Sequence, residues 1–145
     1  MRTCQPDGTV EFVIPSDLNE ARQVQDQIEK QLELCHFEDK EIFGIRLALE
    51  EAIVNAIKHG NRCDRSKKVQ ISYRVQQDHF EVSITDEGQG FDPTEVPDPT
   101  AEENLERPCG RGLMLMRHYM THVSYNPRGN SVSMTKVFRT NNGKM

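Results

Sequence analysis

Alternating hydrophobic and polar residues predict five short strands, because the side chains of a strand point to its two faces in turn. The first strand ends before Pro15, and the other four form two hairpins with turns at Gln77–Asp78 and at residues 127–130. In each strand the apolar residues share one face, as in an antiparallel sheet with one buried side. The predicted strands occupy residues 9–14, 69–75, 79–85 and the two arms of 122–138.

Three other segments carry apolar residues every three or four positions, which predicts helices. The helix of residues 18–35 is amphipathic, whereas that of residues 40–59 has a broader apolar face and is expected to be more buried. The second helix is predicted to end in a left-handed conformation at Gly60–Asn61, and the third helix covers residues 113–120. This order of elements predicts an α+β two-layer sandwich, in which helices cover one face of a mostly antiparallel sheet.

Length and charge narrow the classes of function. The chain has 145 residues, which fits a single domain over residues 1–145 with a core at about residues 9–138. Its formal net charge of −5 argues against a nucleic acid partner, because no general cationic surface is left to neutralise phosphates. It has no apolar run long enough for a membrane span and no secretory signal pattern at its start, so a cytoplasmic protein without membrane contact is expected.

The cysteines and histidines do not predict a metal site. The four cysteines lie far apart with no C-x-x-C pair, so reduced thiols are expected. His118 and His122 have the spacing to share a metal only if one helix contains both, and no third ligand is nearby. We therefore interpret both histidines as ordinary polar residues.

The first candidate for chemistry is the helical segment that contains Glu51 and Asn55. Residues four apart project from the same face of a helix, here next to the small residues Ala48 and Ala52. A carboxylate can accept a proton, and an amide oxygen can bind Mg²⁺, which prefers oxygen ligands. The same pattern also fits a solvated helix edge, so taken alone it leaves both interpretations open.

Two glycine-containing segments border a long loop, residues 86–112, of a length that is usually functional. Residues 86–90 follow a strand directly, which places Asp86 at the strand end, where an aspartate can accept a hydrogen bond from an amino group such as that of adenine. D-x-G-x-G is also a common turn. Residues 109–113 lead into a helix, so they are either a phosphate-binding helix start or a flexible loop.

In combination, E-x-x-x-N on a helix, D-x-G-x-G after a hairpin and G-x-G before a helix resemble the Bergerat-type ATP-binding fold. Gyrase-like topoisomerases, mismatch-repair ATPases, heat-shock chaperones and histidine kinases share that fold. The segments LALEEAIVNAIKHGN, ITDEGQGFDP and ENLERPCGRGLMLMRHYM are most similar to bacterial anti-sigma-factor serine kinases. The resemblance covers about residues 9–138.

The resemblance implies roles for residues on the second helix and at the end of the hairpin. Glu51 would be the general base, and Asn55 would bind Mg²⁺ as part of the ATP site. Asp86 would receive the adenine amino group, while Gly88 and Gly90 would shape the pocket for the base.

The same resemblance implies that the glycine-rich helix start borders the triphosphate of ATP, beneath a mobile lid made by the preceding loop. The residues concerned are Gly110, Arg111 and Gly112. Arg107 of the lid would lie near the phosphates and the partner protein, although the Pro108–Cys109 pair beside it departs from the family pattern.

The implied activity is that of an ATP- and Mg²⁺-dependent serine kinase that phosphorylates a small antagonist protein, binds a sigma factor and forms a homodimer. Two other classes stay open. A water-using ATPase is disfavoured by the short chain, because such enzymes couple this domain to others. A binding module that uses nucleotide only to shape a protein surface is disfavoured by the presence of Glu51.

Overall fold

The computed structural model describes residues 8–88 and 108–138, with the side chains of the second range from residue 114 onwards. Within these residues five strands form one sheet, and each neighbouring pair is antiparallel. The strands are β1 (Val10–Pro15), β2 (Lys68–Val75), β3 (His79–Thr85), β4 (His122–Tyr125) and β5 (Ser131–Val137). Their order is β1-β2-β3-β5-β4, so β3 lies in the centre of the sheet.

Three helices accompany the sheet in the described residues. They are α1 (Leu18–Leu34), α2 (Asp39–Val54) and α3 (Pro108–Tyr119), and α2 continues as a π-helical turn (Asn55–Gly60). α1 starts where the sequence predicts it, because the carboxylate of Asp17 accepts a hydrogen bond from the backbone N–H of Asn19 at 2.8 Å.

One hydrophobic core lies between the sheet and the helices. Every second residue of β2 and β3 is buried, which is the two-faced pattern predicted from the sequence. The buried residues of α1 repeat every three or four positions and are Ala21, Val24, Ile28 and Leu32. The arrangement confirms the predicted α+β fold with an antiparallel sheet and helices on one face.

The predicted start of α3 is wrong. The helix begins at Pro108 instead of Leu113, so the backbone of Gly110 and Gly112 is helical. Proline suits the first helical position, because the N–H that it lacks would have no partner within the helix.

The predicted left-handed helix end at Gly60–Asn61 is also wrong. Gly60 keeps a helical conformation as the last residue of the π-helical turn. The left-handed residues come later, at Arg62 and Cys63, with φ angles of 55° and 61°.

The expectation of reduced thiols is wrong for Cys35, which is disulfide-bonded, while Cys63 is a free and exposed thiol. His118 lies in α3 and His122 in β4, so one helix does not carry both. No group of three metal-binding side chains occurs in the described residues. In the same part of the chain no helix is long and apolar enough to cross a membrane.

Candidate functional site

Asp86 lies immediately after the last residue of β3, at the centre of the sheet. Its Oδ1 accepts a hydrogen bond from the backbone N–H of Gly88 at 2.7 Å. Its Oδ2 has no hydrogen-bond partner in the part of the chain that the structure describes. The carboxylate is therefore oriented through one oxygen and can accept a hydrogen bond from a ligand through the other.

The surroundings of this carboxylate change its acidity in opposite directions. Burial raises the pKa of the Asp86 carboxyl above its ordinary value, and this effect is the largest. The Gly88 hydrogen bond and the positive charges of Arg128 and Lys67 act against it. Arg128 is held beside the site, since its Nη2 donates to the carbonyl oxygen of Gly88 at 3.3 Å.

Two glycines allow the π-helical turn to touch the Asp86 turn. A Cβ atom on Gly60 would lie 2.4 Å from both Cγ and Oδ2 of Asp86. A Cβ atom on Gly88 would lie 2.0 Å from the carbonyl oxygen of Gly60. Any larger residue at either position must therefore displace the other segment or the carboxylate.

Asn55 begins the π-helical turn, in which the hydrogen-bonding pattern of α2 widens. The N–H of Asn61 donates to the carbonyl oxygen of Ala56, five residues earlier, at 2.8 Å. Single π-helical turns are rare and occur often at functional sites. The Nδ2 of Asn55 is buried and has no hydrogen-bond partner among residues 8–88 and 108–138, although buried amide groups are normally satisfied.

Glu51 precedes Asn55 by four residues and differs from its neighbour Glu50 in exposure. Glu51 is half-buried, whereas Glu50 is exposed. Ala48 and Ala52, which flank Glu51 on the helix, are both buried. Glu51 and Asn55 thus border the core on one stripe of the helix, as their spacing predicts.

For the predicted site residues at the start of α3, the structure describes the backbone only. α3 packs against both α2 and the π-helical turn, so the helix that carries Gly110, Arg111 and Gly112 contacts the helix that carries Glu51. Gly90 and Arg107 lie outside the described residues.

Several residues around Asp86 were missed by the sequence analysis. Gly60 and Asn61 were interpreted only as a helix end, and Arg128 and Asn130 only as a hairpin turn. Asn130 binds Asp86 twice: its carbonyl oxygen accepts from the Asp86 N–H at 2.9 Å, and its Nδ2 donates to the Asp86 carbonyl oxygen at 3.0 Å. No local pattern signals these contacts, because glycine and asparagine are common in turns of every kind.

Comparison with known proteins places the chain in a family. Residues 14–136 match the histidine kinase-like ATPase domain. The chain belongs to this family.

Named relatives are about one third identical to this chain over the matched region. The serine-protein kinase RsbW of Oceanobacillus iheyensis is 30% identical over 107 aligned positions, and the match covers 69% of this chain and 68% of the relative. An anti-sigma F factor of Clostridium perfringens is 33% identical over 107 aligned positions, and the match covers 70% of this chain and 76% of the relative. These names confirm the resemblance to anti-sigma-factor serine kinases and support the predicted enzyme class, a protein serine/threonine kinase.

A solved structure shares the fold. The crystal structure of the RsbU and RsbW domains of a Mycobacterium tuberculosis protein matches with a TM-score of 0.62 at 17% sequence identity. The match covers 92% of this chain and 33% of that chain. At this identity the likeness concerns the fold alone.

Proposed function

We propose that this chain is an ATP- and Mg²⁺-dependent serine kinase that phosphorylates a small antagonist protein and also binds a sigma factor. The family match and the names of the relatives support the general activity. The observation that carries the proposal is the Asp86 carboxylate, which Gly88 orients through Oδ1 while Oδ2 stays available.

The Asp86 site suits the adenine end of ATP. Adenine carries an exocyclic amino group, and a fixed, half-buried carboxylate oxygen is a strong acceptor for it. Gly60 and Gly88 have no Cβ atom, so the backbone of the π-helical turn packs directly against the Asp86 turn and helps to hold the carboxylate in place. Both features support the assignment of Asp86 as the base-binding residue.

The environment of Asn55 suits Mg²⁺ at the phosphate end. A half-turn of the side-chain amide exchanges its oxygen and nitrogen, so the buried position without a partner can present either atom. Mg²⁺ takes oxygen ligands and usually keeps waters and substrate phosphates in its shell. When bound, the ion neutralises phosphate charge, and Asn55 is the residue that we propose to hold it.

We assign proton transfer to Glu51. A half-buried carboxylate on the stripe of Asn55 can accept the proton of a serine hydroxyl, while the exposed Glu50 lies about 100° around the helix. An ordinary carboxylate is a weak base towards a hydroxyl, so the proton moves late, when the attacking oxygen has become acidic. α3 begins at Pro108, so its first backbone N–H groups, up to that of Gly110, have no acceptor within the helix and are proposed to bind phosphate oxygens. Gly112 lies one position beyond these groups and is proposed only to border the triphosphate, and Arg107 remains a proposed phosphate contact.

The test compares Glu51→Gln with Glu50→Gln. Each protein is incubated with saturating labelled ATP, Mg²⁺ and a small antagonist protein that co-purifies with the wild type, and transfer of label to that protein is measured. Glu51→Gln should bind ATP normally and transfer about 10²–10⁴-fold more slowly, because a positioned general base contributes that much. Glu50→Gln should transfer at close to the wild-type rate.

The same experiment separates the alternatives. Equal rates for the two variants contradict the role of Glu51. A loss confined to Glu50→Gln shows that proton transfer takes place on the face of α2 that carries Glu50, which also contradicts the proposal. Release of labelled phosphate without any labelled protein identifies a water-using ATPase. Nucleotide binding without either product identifies a binding module.

A further inference from the structure

Asn61 and Ser16 are the two buried polar side chains in the described part of the chain, with 0% and 5% of their surface exposed. They bind each other, since Asn61 Nδ2 donates to Ser16 Oγ at 3.0 Å. The same nitrogen donates to the carbonyl oxygen of Lys68 at 2.9 Å. Asn61 Oδ1 accepts a hydrogen bond from the backbone N–H of Glu87 at 2.8 Å. Both donors and the acceptor of the amide are thus used, which fixes its orientation.

These hydrogen bonds join three segments that are far apart in the sequence. Ser16 directly follows β1, Lys68 is the first residue of β2, and Glu87 is the second residue after β3. A further bond joins two of them, because Glu87 Oε2 accepts from the backbone N–H of Lys68 at 2.8 Å. Asn61 therefore ties the end of the π-helical turn to the strand ends beside Asp86.

One of these hydrogen bonds acts on the peptide group that follows Asp86. The N–H of this peptide is that of Glu87, which Asn61 binds. Its carbonyl oxygen is that of Asp86, which the Nδ2 of Asn130 binds at 3.0 Å. Two asparagines from different parts of the chain thus hold both polar atoms of one peptide group.

The orientation of this peptide determines where the carboxylate lies. It sets the course of the chain from Asp86 to Gly88, and the Gly88 N–H in turn holds Oδ1 of Asp86. If the peptide rotated, the N–H of Gly88 would move and the carboxylate would lose its fixed direction. Asn61 therefore acts on Oδ2 through the backbone, without contacting it.

We infer that Asn61 is a positioning residue that aims the Asp86 carboxylate at the amino group of a purine base and so sets the preference for ATP over ITP. ITP is the sharpest probe, because it carries an oxygen where ATP carries the amino group. The inference rests on the proposed role of Asp86. Asparagine is required at position 61 because aspartate lacks the two donors and alanine lacks all three hydrogen bonds.

The test measures kcat and KM of Asn61→Ala with ATP and with ITP. The KM for ATP should rise about tenfold with kcat within about twofold, since a contact to the base is made equally before and during transfer. The preference for ATP over ITP in kcat/KM should fall about tenfold, because a misdirected acceptor distinguishes an amino group poorly from an oxygen.

Two further variants keep the result interpretable. Asn130→Ala removes the hydrogen bond to the carbonyl oxygen of the same peptide group, and Asn130 lies in a turn where it is only half-buried. This variant should also raise the KM for ATP. Ile28→Ala in the buried face of α1 is the control for lowered stability, and it should lower Tm without changing the preference for ATP. If Asn61→Ala does not fold, Asn130→Ala decides, together with hydrogen exchange of the Glu87 amide in the wild type, which should be slow.

The outcomes separate this inference from the proposed function. If Asp86→Asn binds ATP as well as the wild type, the proposed function fails. If Asp86→Asn weakens ATP binding while Asn61→Ala and Asn130→Ala keep the wild-type KM and preference, only the positioning role fails. The positioning role also fails if Ile28→Ala reduces the preference equally, or if the Glu87 amide exchanges as fast as an exposed one.

Discussion

The close approach of Gly60 to Asp86 makes Gly60→Ala an informative single-methyl change. The new Cβ atom would lie 2.4 Å from Cγ and Oδ2 of Asp86 and 2.7 Å from Oδ1. A relaxed contact between carbon and oxygen is about 3.3–3.6 Å. The carboxylate must therefore move by about 1 Å, and it can do so because Asp86 is only half-buried and its side chain can rotate.

This displacement should reduce ATP affinity much more than it reduces stability. A hydrogen bond to a charged group contributes about 1.5–3 kcal/mol, and each 1.4 kcal/mol is tenfold in affinity, so its loss should raise the dissociation constant for ATP by about 10–100-fold. For the fold, Gly60 does not have a positive φ, so alanine meets no left-handed strain there and the steric contact with Asp86 is the main cost. Calorimetric titration with ATP and a thermal melt measure the two effects separately.

Gly44→Ala is the matched control, because Gly44 is another tightly packed helical glycine. Its Cβ atom would lie 2.8 Å from Cδ1 of Tyr119, at the contact between α2 and α3. This variant should change Tm and leave ATP affinity within about twofold of the wild type. Wild-type ATP affinity in a folded Gly60→Ala, or an equal loss in Gly44→Ala, would refute the proposed link between the Gly60 contact and the nucleotide.

Three further outcomes are expected. Asp86→Asn should weaken ATP binding measured by calorimetry, because a second donor would face the amino group and an unpaired buried donor costs about 1–3 kcal/mol. Unchanged affinity with an intact fold would show that Asp86 does not bind the base. Asn55→Ala should abolish the enhancement of ATP binding by Mg²⁺. An equal enhancement in variant and wild type would show that Asn55 is a residue of the helix edge and does not bind Mg²⁺. Hydrogen bonds to Asp78 and to Glu81, each 2.8 Å, raise the pKa of His79, with Asp78 the larger cause. Their stabilising effect is therefore complete below the unfolded pKa of about 6.5 and is lost as pH rises through the higher folded pKa. The difference in urea midpoint between wild type and His79→Gln should shrink over that range, and a constant difference would contradict this linkage.

The sequence predicts the sheet well because each strand has to present one apolar face to the core. Ile71 and Ile84 face each other across β2 and β3, and Val82 faces Met134 across β3 and β5. All four are buried. A shift of one residue in either pairing would turn such residues away from the core, so the alternating pattern excludes it, while the short turn between β2 and β3 limits a shift of two residues in that hairpin.

The start of α3 could not be predicted in the same way. Gly110 and Gly112 each disfavour a helix by about 1 kcal/mol relative to alanine, so the local sequence indicates a turn. The structure extends the helix back to Pro108, which suits the first helical position because the N–H that it lacks would have no partner there. α3 also packs on α2, and the ring of Tyr119 at its other end lies against Gly44. Such packing between segments can outweigh a local preference and is not visible in a single segment.

The contacts that orient Asp86 escape sequence analysis for a different reason. Hydrophobic periodicity reports which side chains face the core, but Asn61 and Asn130 are polar and follow a helix and a hairpin turn, where asparagine is common for local reasons. Their hydrogen bonds reach Glu87 and Asp86 over 26 and 44 positions in the chain. A sequence motif can thus identify the carboxylate expected to touch a nucleotide, whereas the two amides that hold its peptide group become recognisable only when distant turns are brought together. Loss of function at Asn61 or Asn130 therefore does not require contact with the ligand, because both residues act through the backbone of Asp86.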